Sequence, residues 1–208
     1  DSFDTQRAMV VPKVLEAAHF FVSRAVHLGD VVVDATVGNG HDTAFLAAQV
    51  GETGCVYGFD VQSIALARTR DRLRSTGVLK DVELVHAGHE SMAEYIPESL
   101  YGRVGAVMFN LGYLPRSGSE RITRASTTLP ALDQAVEVLR PGGVITVVLY
   151  TGHEGGEAEA EAVHTWAAHQ PQSALNVLSY HFVNQRNDPP RLLVVEKGSD
   201  DQSAEATE

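Results

Sequence analysis

The sequence is poor in cysteine and has no long apolar run. Cys55 is the single cysteine among 208 residues, which excludes an internal disulfide and a cysteine-rich zinc site. Because Cys55 lies in an apolar, strand-like run, we expect a buried structural thiol. No apolar run is long enough to span a bilayer, and the first residues lack the charged-then-apolar order of a signal peptide. We therefore predict a cytoplasmic protein.

Positive charge is also scarce. The chain has 16 Lys and Arg against 27 Asp and Glu, for a formal net charge of −11. Non-specific binding to a phosphate backbone uses basic side chains that displace counterions, so this balance argues against it. The tail GSDDQSAEATE (198–208) contains acids but no base, and we expect it to be disordered. A local basic patch around Arg116, Arg121 and Arg124 could still contact a nucleic acid.

Hydrophobic periodicity predicts one α/β domain over 1–197. A first helix over 9–26, expected to pack on the core, precedes short β-rich runs that alternate with helical segments. Strands are expected near 31–35, 55–60, 82–86, 104–110 and 143–150, and helices near 42–50, 62–75, 90–95, 127–139 and 157–169. This alternation is typical of crossover units on a mainly parallel sheet. The runs 175–185 and 189–198 predict a C-terminal antiparallel hairpin that closes the sheet edge.

The segment VVVDATVGNGHDTAFLA (31–47) places a glycine loop between a strand and a helix. In this geometry, backbone N–H groups at the helix start face a ligand that lies over the strand ends. Gly38 and Gly40 allow close approach, and Asp60 follows the next strand about 20 residues later, where an acid can hydrogen-bond ribose hydroxyls. The pattern predicts a ribose-containing ligand; the alternative is a tight turn with Asp42 as a helix cap.

Charge distinguishes between the possible nucleoside ligands. A dinucleotide fingerprint needs glycine where this chain has Thr43, and it places a pyrophosphate at the helix start. Asp34 and Asp42 flank that position; two carboxylates repel a pyrophosphate but suit a sulfonium and an ammonium. We therefore predict S-adenosylmethionine as the cofactor. An NAD-dependent oxidoreductase or a non-catalytic nucleotide-binding module is the alternative from another class.

The predicted cofactor residues lie at the ends of the first four strands. Gly88 and His89 follow the third strand, where the adenine would lie, and His41 is another candidate, although each histidine could be only a satisfied loop group. His86, within the strand, is expected to be structural. The histidines show no metal-ligand spacing with nearby acids, so no metal is predicted. The cofactor-binding set is Asp34, Thr36, Gly38, Asn39, Gly40, Asp42, Thr43, Asp60, Gln62, Gly88, His89 and Asn110.

The segment FNLGYLP (109–115) ends the fourth strand, next to the expected reactive end of the cofactor. It resembles the Asn-Pro-Pro-Tyr element of amino-group methyltransferases, with Leu111-Gly112 in place of the prolines. Asn110 and Tyr113 are the predicted catalytic residues, because an amide oxygen can accept the hydrogens of an amine and an aromatic ring can stack on a base. The alternatives are a strand-end cap and a partly buried ring.

Five segments together resemble one bacterial family over 28–197: DATVGNGHDTAFLA, FDVQSIAL, FNLGYLP, LYTGHEGGEAE and FVNQRNDPPRLLVVEK. The family is the tRNA 5-aminomethyl-2-thiouridine methyltransferases (MnmM/YtqB-like proteins), long grouped as rRNA methylases. The resemblance implies a Rossmann-like class I S-adenosylmethionine-dependent methyltransferase fold and methylation of the 5-aminomethyl amine on the wobble uridine. It also implies the tRNA anticodon region as partner and a homodimer. The family carries Gly-Gly-Asp where this chain has Arg116-Ser117-Gly118. An rRNA or small-amine substrate remains the alternative.

Substrate-binding candidates come from three loops. His153 could contact substrate or phosphate, or be an ordinary polar loop residue. Amide and guanidinium groups in the FVNQRNDPP turn can contact bases or phosphates, or serve only as a solvated turn. The predicted substrate-binding set is Leu111, Gly112, Arg116, Tyr150, His153, Gly155, Gly156, Asn184, Gln185, Arg186 and Asn187.

Overall fold

The computed structural model describes residues 10–77, 81–112 and 123–199. Its strands are β1 (Val31–Asp34), β2 (Cys55–Phe59), β3 (Val82–Val85), β4 (Val104–Leu111), β5 (Leu139–Leu149), β6 (Leu175–Tyr180) and β7 (Arg191–Lys197). Its helices are α1 (Val14–Ala25), α2 (His41–Val50), α3 (Ser63–Thr76), α4 (Met92–Tyr95), α5 (Ala125–Val138) and α6 (Gly156–Ala168). Short 3-10 helices cover Gly51–Thr53, His89–Ser91 and Glu98–Leu100.

These strands form one sheet in the order β3-β2-β1-β4-β5-β7-β6. Neighbouring strands from β3 to β5 are parallel, whereas β7 runs antiparallel to both β5 and β6. The predicted Rossmann-like α/β fold, mainly parallel with a C-terminal antiparallel pair, is confirmed. Chain order reverses between β1 and β4. The carboxyl ends of the strands at such a switch point form a crevice in which ligands bind.

Apolar side chains pack on both faces of the sheet. Successive residues of β1 point to opposite faces of the sheet. Val33 packs in the core covered by α5 and α6, and Val32 packs in the core covered by α1 and α2. Burial on both faces explains why β1 (VVVD) and the VITVVL part of β5 are mostly apolar, with one polar residue in each. The helices therefore hold the sheet rigid beneath the loops at its carboxyl edge.

The C-terminal strands differ from the predicted hairpin in extent. β6 ends at Tyr180 and β7 begins at Arg191, so a connection over 181–190 replaces the expected short turn. Pro189 and Pro190 have no N–H group for a strand ladder, and Asn187 and Asp188 adopt positive φ angles. The prediction that the hairpin closes the sheet edge holds for β6 alone, because β7 lies inside the sheet.

Smaller differences have local causes. α1 begins at Val14 within the predicted range 9–26. The Pro-Gly-Gly segment (141–143) lies inside β5, where the pairing of β5 with β4 shifts register. Val104 pairs with Leu139, whereas Ala106 pairs with Val144. Cys55 is only partly buried, which corrects the expected buried thiol, because it begins β2. No helix in the described ranges is long and apolar enough to cross a membrane. The tail from residue 200 lies outside the described residues.

Candidate cofactor and substrate site

The glycine loop after β1 depends on backbone conformations that favour glycine. Gly38 and Gly40 have φ angles of +51° and +76°. Gly40 also packs against α3, since a Cβ built there would lie 2.5 Å from Thr69 Oγ1. The Thr69 hydroxyl donates to Gly38 O at 3.3 Å, and Arg72 Nε donates to Asn39 O at 2.9 Å. Helix α3 therefore supports the loop from one side, a role that its sequence alone did not indicate.

Asp60 links the end of β2 to this loop. Its Oδ2 accepts the Gly38 N–H and its Oδ1 accepts the Gln62 N–H, both at 2.8 Å. A carboxylate has about four acceptor positions, so these two bonds leave lone pairs for two further donors. Beside it, Val61 is 41% exposed, an apolar side chain next to the expected ribose position. The arrangement fits a nucleoside whose ribose lies on Asp60 and whose base lies near Val61.

Asp34 lies beneath the loop rather than on its surface. Its side chain is fully buried; Oδ1 accepts the Thr36 N–H at 3.1 Å, and Oδ2 accepts the Thr43 hydroxyl at 2.6 Å. Burial raises the pKa of Asp34 from 3.8 to about 7, and the negative charge of Asp42 adds to the rise, while the two hydrogen bonds oppose it. Thr43 therefore stabilises the buried acid, and the charge on Asp34 changes near neutral pH.

Asp42 has a partner that the sequence did not reveal. His19 Nε2 on α1 lies 2.7 Å from Asp42 Oδ1. The His19 ring stacks on Phe45 of α2 with a centroid distance of 3.8 Å and an interplanar angle of 1°. Helix α1 was expected to pack only on the core, yet it also contacts the acid at the start of α2. This contact joins residues far apart in the chain, so no local spacing could predict it.

Asn110 lies where β4 ends beside β1. Its backbone N–H donates to Thr36 Oγ1 at 2.7 Å, which fixes the two strand ends relative to one another. Its side-chain Oδ1 is buried and has no hydrogen-bond partner among the described residues. Buried polar atoms are usually paired, so an unpaired acceptor at the switch point is a candidate ligand contact. The other predicted catalytic residue, Tyr113, lies outside the described residues, as do Arg116 and Arg121.

His153 packs at the end of β4. Its ring fills the space between two glycines: a Cβ on Gly112 would lie 2.8 Å from His153 Nε2, and one on Gly156 would lie 2.5 Å from Cε1. His153 Nε2 is buried and unpaired within the part of the chain that the structure describes. The histidine therefore packs on Gly112, which directly follows β4 and is two residues from Asn110 in the chain. Gly156 provides room for this ring.

Leu111 and Tyr150 join the same strand ends through their backbones. The Leu111 side chain is 1% exposed within the core, so the predicted substrate contact of this residue would involve its backbone. Its carbonyl accepts the Tyr150 N–H at 3.2 Å. Gly155 is exposed with a φ angle of +81° and is the N-cap residue that precedes α6. Neighbouring residues of a strand face opposite sides of the sheet, so Leu111 and Asn110 point to different faces of β4.

His89 follows β3 and is 6% exposed. Burial lowers its pKa, and a backbone hydrogen bond with Ala35 opposes this effect. The ring meets Phe109 edge-on with a centroid distance of 5.6 Å, and Nε2 has no partner among the residues described. Gly88 packs against Glu90, because a Cβ there would lie 2.5 Å from Oε1. His89 is therefore a neutral acceptor or donor held below the crevice.

The other candidate histidines are exposed. His86 Nε2 lies 3.0 Å from Val61 O, a contact consistent with the expected structural role. His41 Nε2 lies 3.5 Å from an Arg72 nitrogen, on the outer side of the glycine loop. In the described ranges, no group of three or more His, Cys, Asp or Glu residues is arranged to hold a metal ion.

The polar 184–187 turn lies at the same edge of the sheet. Leu149, which ends β5, pairs with Arg191, which begins β7. The connection over 181–190 therefore projects from the edge that carries the ends of β1 and β4. Asn184, Gln185, Arg186 and Asn187 are all exposed there. The sheet thus brings the turn to the same side of the molecule as Asn110, with amide and guanidinium groups facing solvent.

Comparison with known proteins agrees with this architecture. A putative rRNA methylase from Clostridium thermocellum is 43% identical with a TM-score of 0.87, covering 91% of this chain and 100% of that one. A putative methyltransferase from Streptococcus mutans, solved in complex with SAH, is 36% identical with a TM-score of 0.81, covering 90% and 99%. The fold is that of Rossmann-like S-adenosylmethionine-dependent methyltransferases.

Sequence similarity defines the family more narrowly. Residues 56–196 match the family described as "Putative rRNA methylase", and the chain belongs to that family. A tRNA (mnm(5)s(2)U34)-methyltransferase, chloroplastic, from Arabidopsis thaliana is 38% identical over 181 residues, or 83% of this chain. The match spans 65% of the length of that relative. The resemblance drawn from the five sequence segments is confirmed.

Proposed function

We propose that this protein transfers a methyl group from S-adenosylmethionine to the amine of 5-aminomethyl-(2-thio)uridine at the tRNA wobble position. The observation that carries the proposal is the buried, unpaired Oδ1 of Asn110 at the switch point between β1 and β4. An acceptor in that position can hold the hydrogens of an amine beside the reactive end of a cofactor that lies over the strand ends.

The residues around the glycine loop fit S-adenosylmethionine. Asp60 keeps acceptor positions for the ribose hydroxyls after bonding Gly38 and Gln62. Asp42 at the start of α2, and Asp34 beneath the loop when it is ionised, give this end of the crevice a negative character that favours a sulfonium and an ammonium over a pyrophosphate. The SAH complex of the Streptococcus mutans relative supports the same choice.

S-adenosylmethionine supplies the methyl group as an electrophilic sulfonium substituent. The protein's part is to align a neutral amine with it, because positioning supplies most of the rate in such a displacement. Asn110 Oδ1 accepts one N–H of the amine and leaves the nitrogen lone pair directed toward the methyl carbon. His153 Nε2, beside Gly112, offers a second contact to the same group. The product ammonium then loses a proton to water.

The RNA is bound by polar groups at the sheet edge rather than by a strongly basic face. Asn184, Gln185, Arg186 and Asn187 supply exposed donors and acceptors, and Arg124, exposed at the start of α5, adds positive charge. We place the anticodon region of the tRNA across this edge and the protein in the cytoplasm. The similarity to a tRNA (mnm(5)s(2)U34)-methyltransferase supports this substrate.

We also propose that the protein is a homodimer, following the family resemblance. Leu178, on the edge strand β6, is 46% exposed and is the apolar side chain we assign to the interface. Sedimentation of the purified chain, compared with a Leu178→Lys variant, tests this assignment. A monomeric wild type would contradict it.

Nucleoside mass spectrometry tests the proposed reaction. tRNA that carries 5-aminomethyluridine is incubated with the protein and S-adenosylmethionine, and the expected result is a gain of one methyl on that nucleoside. Parallel reactions contain unmodified tRNA, ribosomal RNA and small primary amines. Methylation of ribosomal RNA or of a small amine, with the 5-aminomethyluridine unchanged, would overturn the tRNA assignment and keep the cofactor. Failure to bind S-adenosylhomocysteine would overturn both.

A further inference from the structure

Glu159 is a buried acid on α6 that the proposed mechanism does not use. Its side chain is 3% exposed. Oε1 accepts the Thr128 hydroxyl at 2.7 Å, and Oε2 accepts the Thr123 hydroxyl at 2.9 Å. Burying a carboxylate is costly unless it is hydrogen-bonded, so both threonines are needed to hold the acid where it is. The carboxylate therefore joins the first turn of α6 to the start of α5.

The position of Glu159 relative to the starts of both helices adds to this link. It lies in the first turn of α6, and its partner Thr128 is the fourth residue of α5, whose N-cap is Arg124. The first turn of a helix carries partial positive charge on its unpaired N–H groups, and an anion there is stabilised. One carboxylate thus lies at the positive ends of two helices and holds their starts together.

The first turn of α6 in turn determines where His153 lies. Gly156, the first residue of α6, packs on the His153 ring, and its N–H donates to His153 O at 3.0 Å. The other side of the ring packs on Gly112 at the end of β4. Any shift of the start of α6 therefore moves the imidazole relative to the end of β4.

We propose that Glu159 is a positioning residue for the methyl transfer, which acts by fixing α6 and, through Gly156, the His153 imidazole beside Gly112. This inference rests on the proposed function, because it assigns His153 to the substrate amine. Glu159 itself contacts neither substrate nor cofactor. Its effect should appear in kcat and in the rigidity of the α6 start, with cofactor affinity unchanged.

Three variants separate positioning from general stability. Glu159→Ala removes the link. Glu159→Gln keeps one oxygen acceptor and replaces the other with an NH2 group, which can donate to a rotated threonine hydroxyl. Thr123→Val removes one bond and preserves side-chain shape. Thr127→Val is the matched control, since the Thr127 hydroxyl donates only within its own turn, to Arg124 O at 3.0 Å.

We expect Glu159→Ala to lower kcat about a hundredfold, as small misplacements of reacting groups do. Glu159→Gln should recover kcat to within about tenfold of wild type, and Thr127→Val should leave it unchanged. The dissociation constant of S-adenosylhomocysteine should stay within about twofold in all variants. A loss of kcat in Thr127→Val equal to that in Thr123→Val would overturn the positioning role.

Hydrogen exchange gives a readout that does not depend on the substrate. Peptides covering 150–160 should exchange faster in Glu159→Gln and Thr123→Val than in wild type, while a peptide covering 31–47 should not change. If tRNA is not methylated by the wild type, the proposed function fails, yet faster exchange still supports the link between α5 and α6. Unchanged exchange at 150–160 in both variants would overturn the inference whatever the substrate.

Discussion

The carboxylate of Asp60 accepts the N–H of Gly38 at 2.8 Å, which ties the end of β2 to the glycine loop after β1. The acid assigned to the ribose therefore also shapes the loop that would contact the rest of the nucleoside. Gln62 N–H occupies the other oxygen. A substitution at Asp60 thus removes ribose acceptors and loosens the loop at the same time.

Asp60→Ala should weaken S-adenosylhomocysteine binding by about ten- to a hundredfold, since hydrogen bonds to charged groups are worth about 1.5–3 kcal/mol. Isothermal titration calorimetry measures the change. Asp71→Ala is the control, because that acid lies on α3 with its side chain 79% exposed. An unaltered dissociation constant in Asp60→Ala would rule out the ribose assignment.

Asn110→Ala should lower turnover by about ten- to a thousandfold, as expected when one aligned hydrogen-bond acceptor is lost. S-adenosylhomocysteine affinity should stay nearly intact, because the proposed partner of Oδ1 is the substrate amine. Asn176→Ala, on the exposed edge strand β6, is the control. Turnover equal to wild type would remove Asn110 from the mechanism.

The raised pKa of Asp34, about 7, predicts pH-dependent ligand binding. As pH rises from about 5.5 to about 7.5, Asp34 ionises while most of the ligand's amine stays protonated, so affinity for S-adenosylhomocysteine should increase. Asp34→Asn should bind with a much flatter pH profile. A wild-type affinity that does not vary over this range would show that the charge on Asp34 does not contribute to ligand binding.

The same shift predicts the opposite trend for the ligand-free protein. Folding favours the protonated form of Asp34, so its contribution to stability is full below about pH 4 and is lost as pH rises through about 7. The melting temperature of wild type relative to Asp34→Asn should therefore fall over this window. Differential scanning calorimetry at constant ionic strength checks the sign; a constant difference would argue against it.

Gly112→Ala should lower the free energy of unfolding more than the same substitution at a comparable glycine, because the new Cβ would overlap the His153 ring. Gly102→Ala is the matched control: Gly102 has a φ angle of +71°, close to the +86° of Gly112, but open space around its Cβ position. Both should lose roughly 1–2 kcal/mol from backbone strain, and Gly112→Ala about 1–3 kcal/mol more from overlap.

A double-mutant cycle identifies the source of that extra cost. In a His153→Ala background, the extra cost of Gly112→Ala over Gly102→Ala should fall by most of its value, because the ring is gone and only Tyr150 O, 3.1 Å from the new Cβ, remains close. Urea denaturation provides the free energies of unfolding. An extra cost that is just as large without the imidazole would show that the ring does not occupy this space.

Arg186→Ala should raise the KM for tRNA, leave S-adenosylhomocysteine binding unchanged, and reduce the slope of log affinity against log salt by about 1. Arg103→Ala is the control, since Arg103 is exposed just before β4, at the opposite edge of the sheet. Equal effects of the two variants would mean that the 184–187 turn is not the tRNA surface.

Local sequence patterns were sufficient to predict much of the fold of this protein. The β-branched runs, the glycine loop and the apolar helical spacing each depend on residues close in the chain, so the strands and the loop at their carboxyl ends could be predicted. The position of Asn110 followed from the end of β4. Motif matching did not show that the Leu111 side chain is buried, which depends on how the helices pack on the sheet.

Long-range contacts could not be predicted in this way. His19 meets Asp42 because α1 packs beside α2, and Glu159 meets Thr123 and Thr128 because α6 packs beside α5. Neither pair has a sequence spacing that distinguishes it from other acids and hydroxyls. Burial likewise raised the pKa of Asp34, and that burial depends on how distant parts of the chain pack around it.

The sequence by itself determined the α/β alternation, the family and the placement of the glycine loop, since these follow from short-range periodicity and motif spacing. Only the tertiary structure decided which polar groups are buried, which are paired and which are left free, because these depend on how helices pack on the sheet. The imidazole between Gly112 and Gly156 and the carboxylate that joins α5 to α6 exist only once those helices are in place.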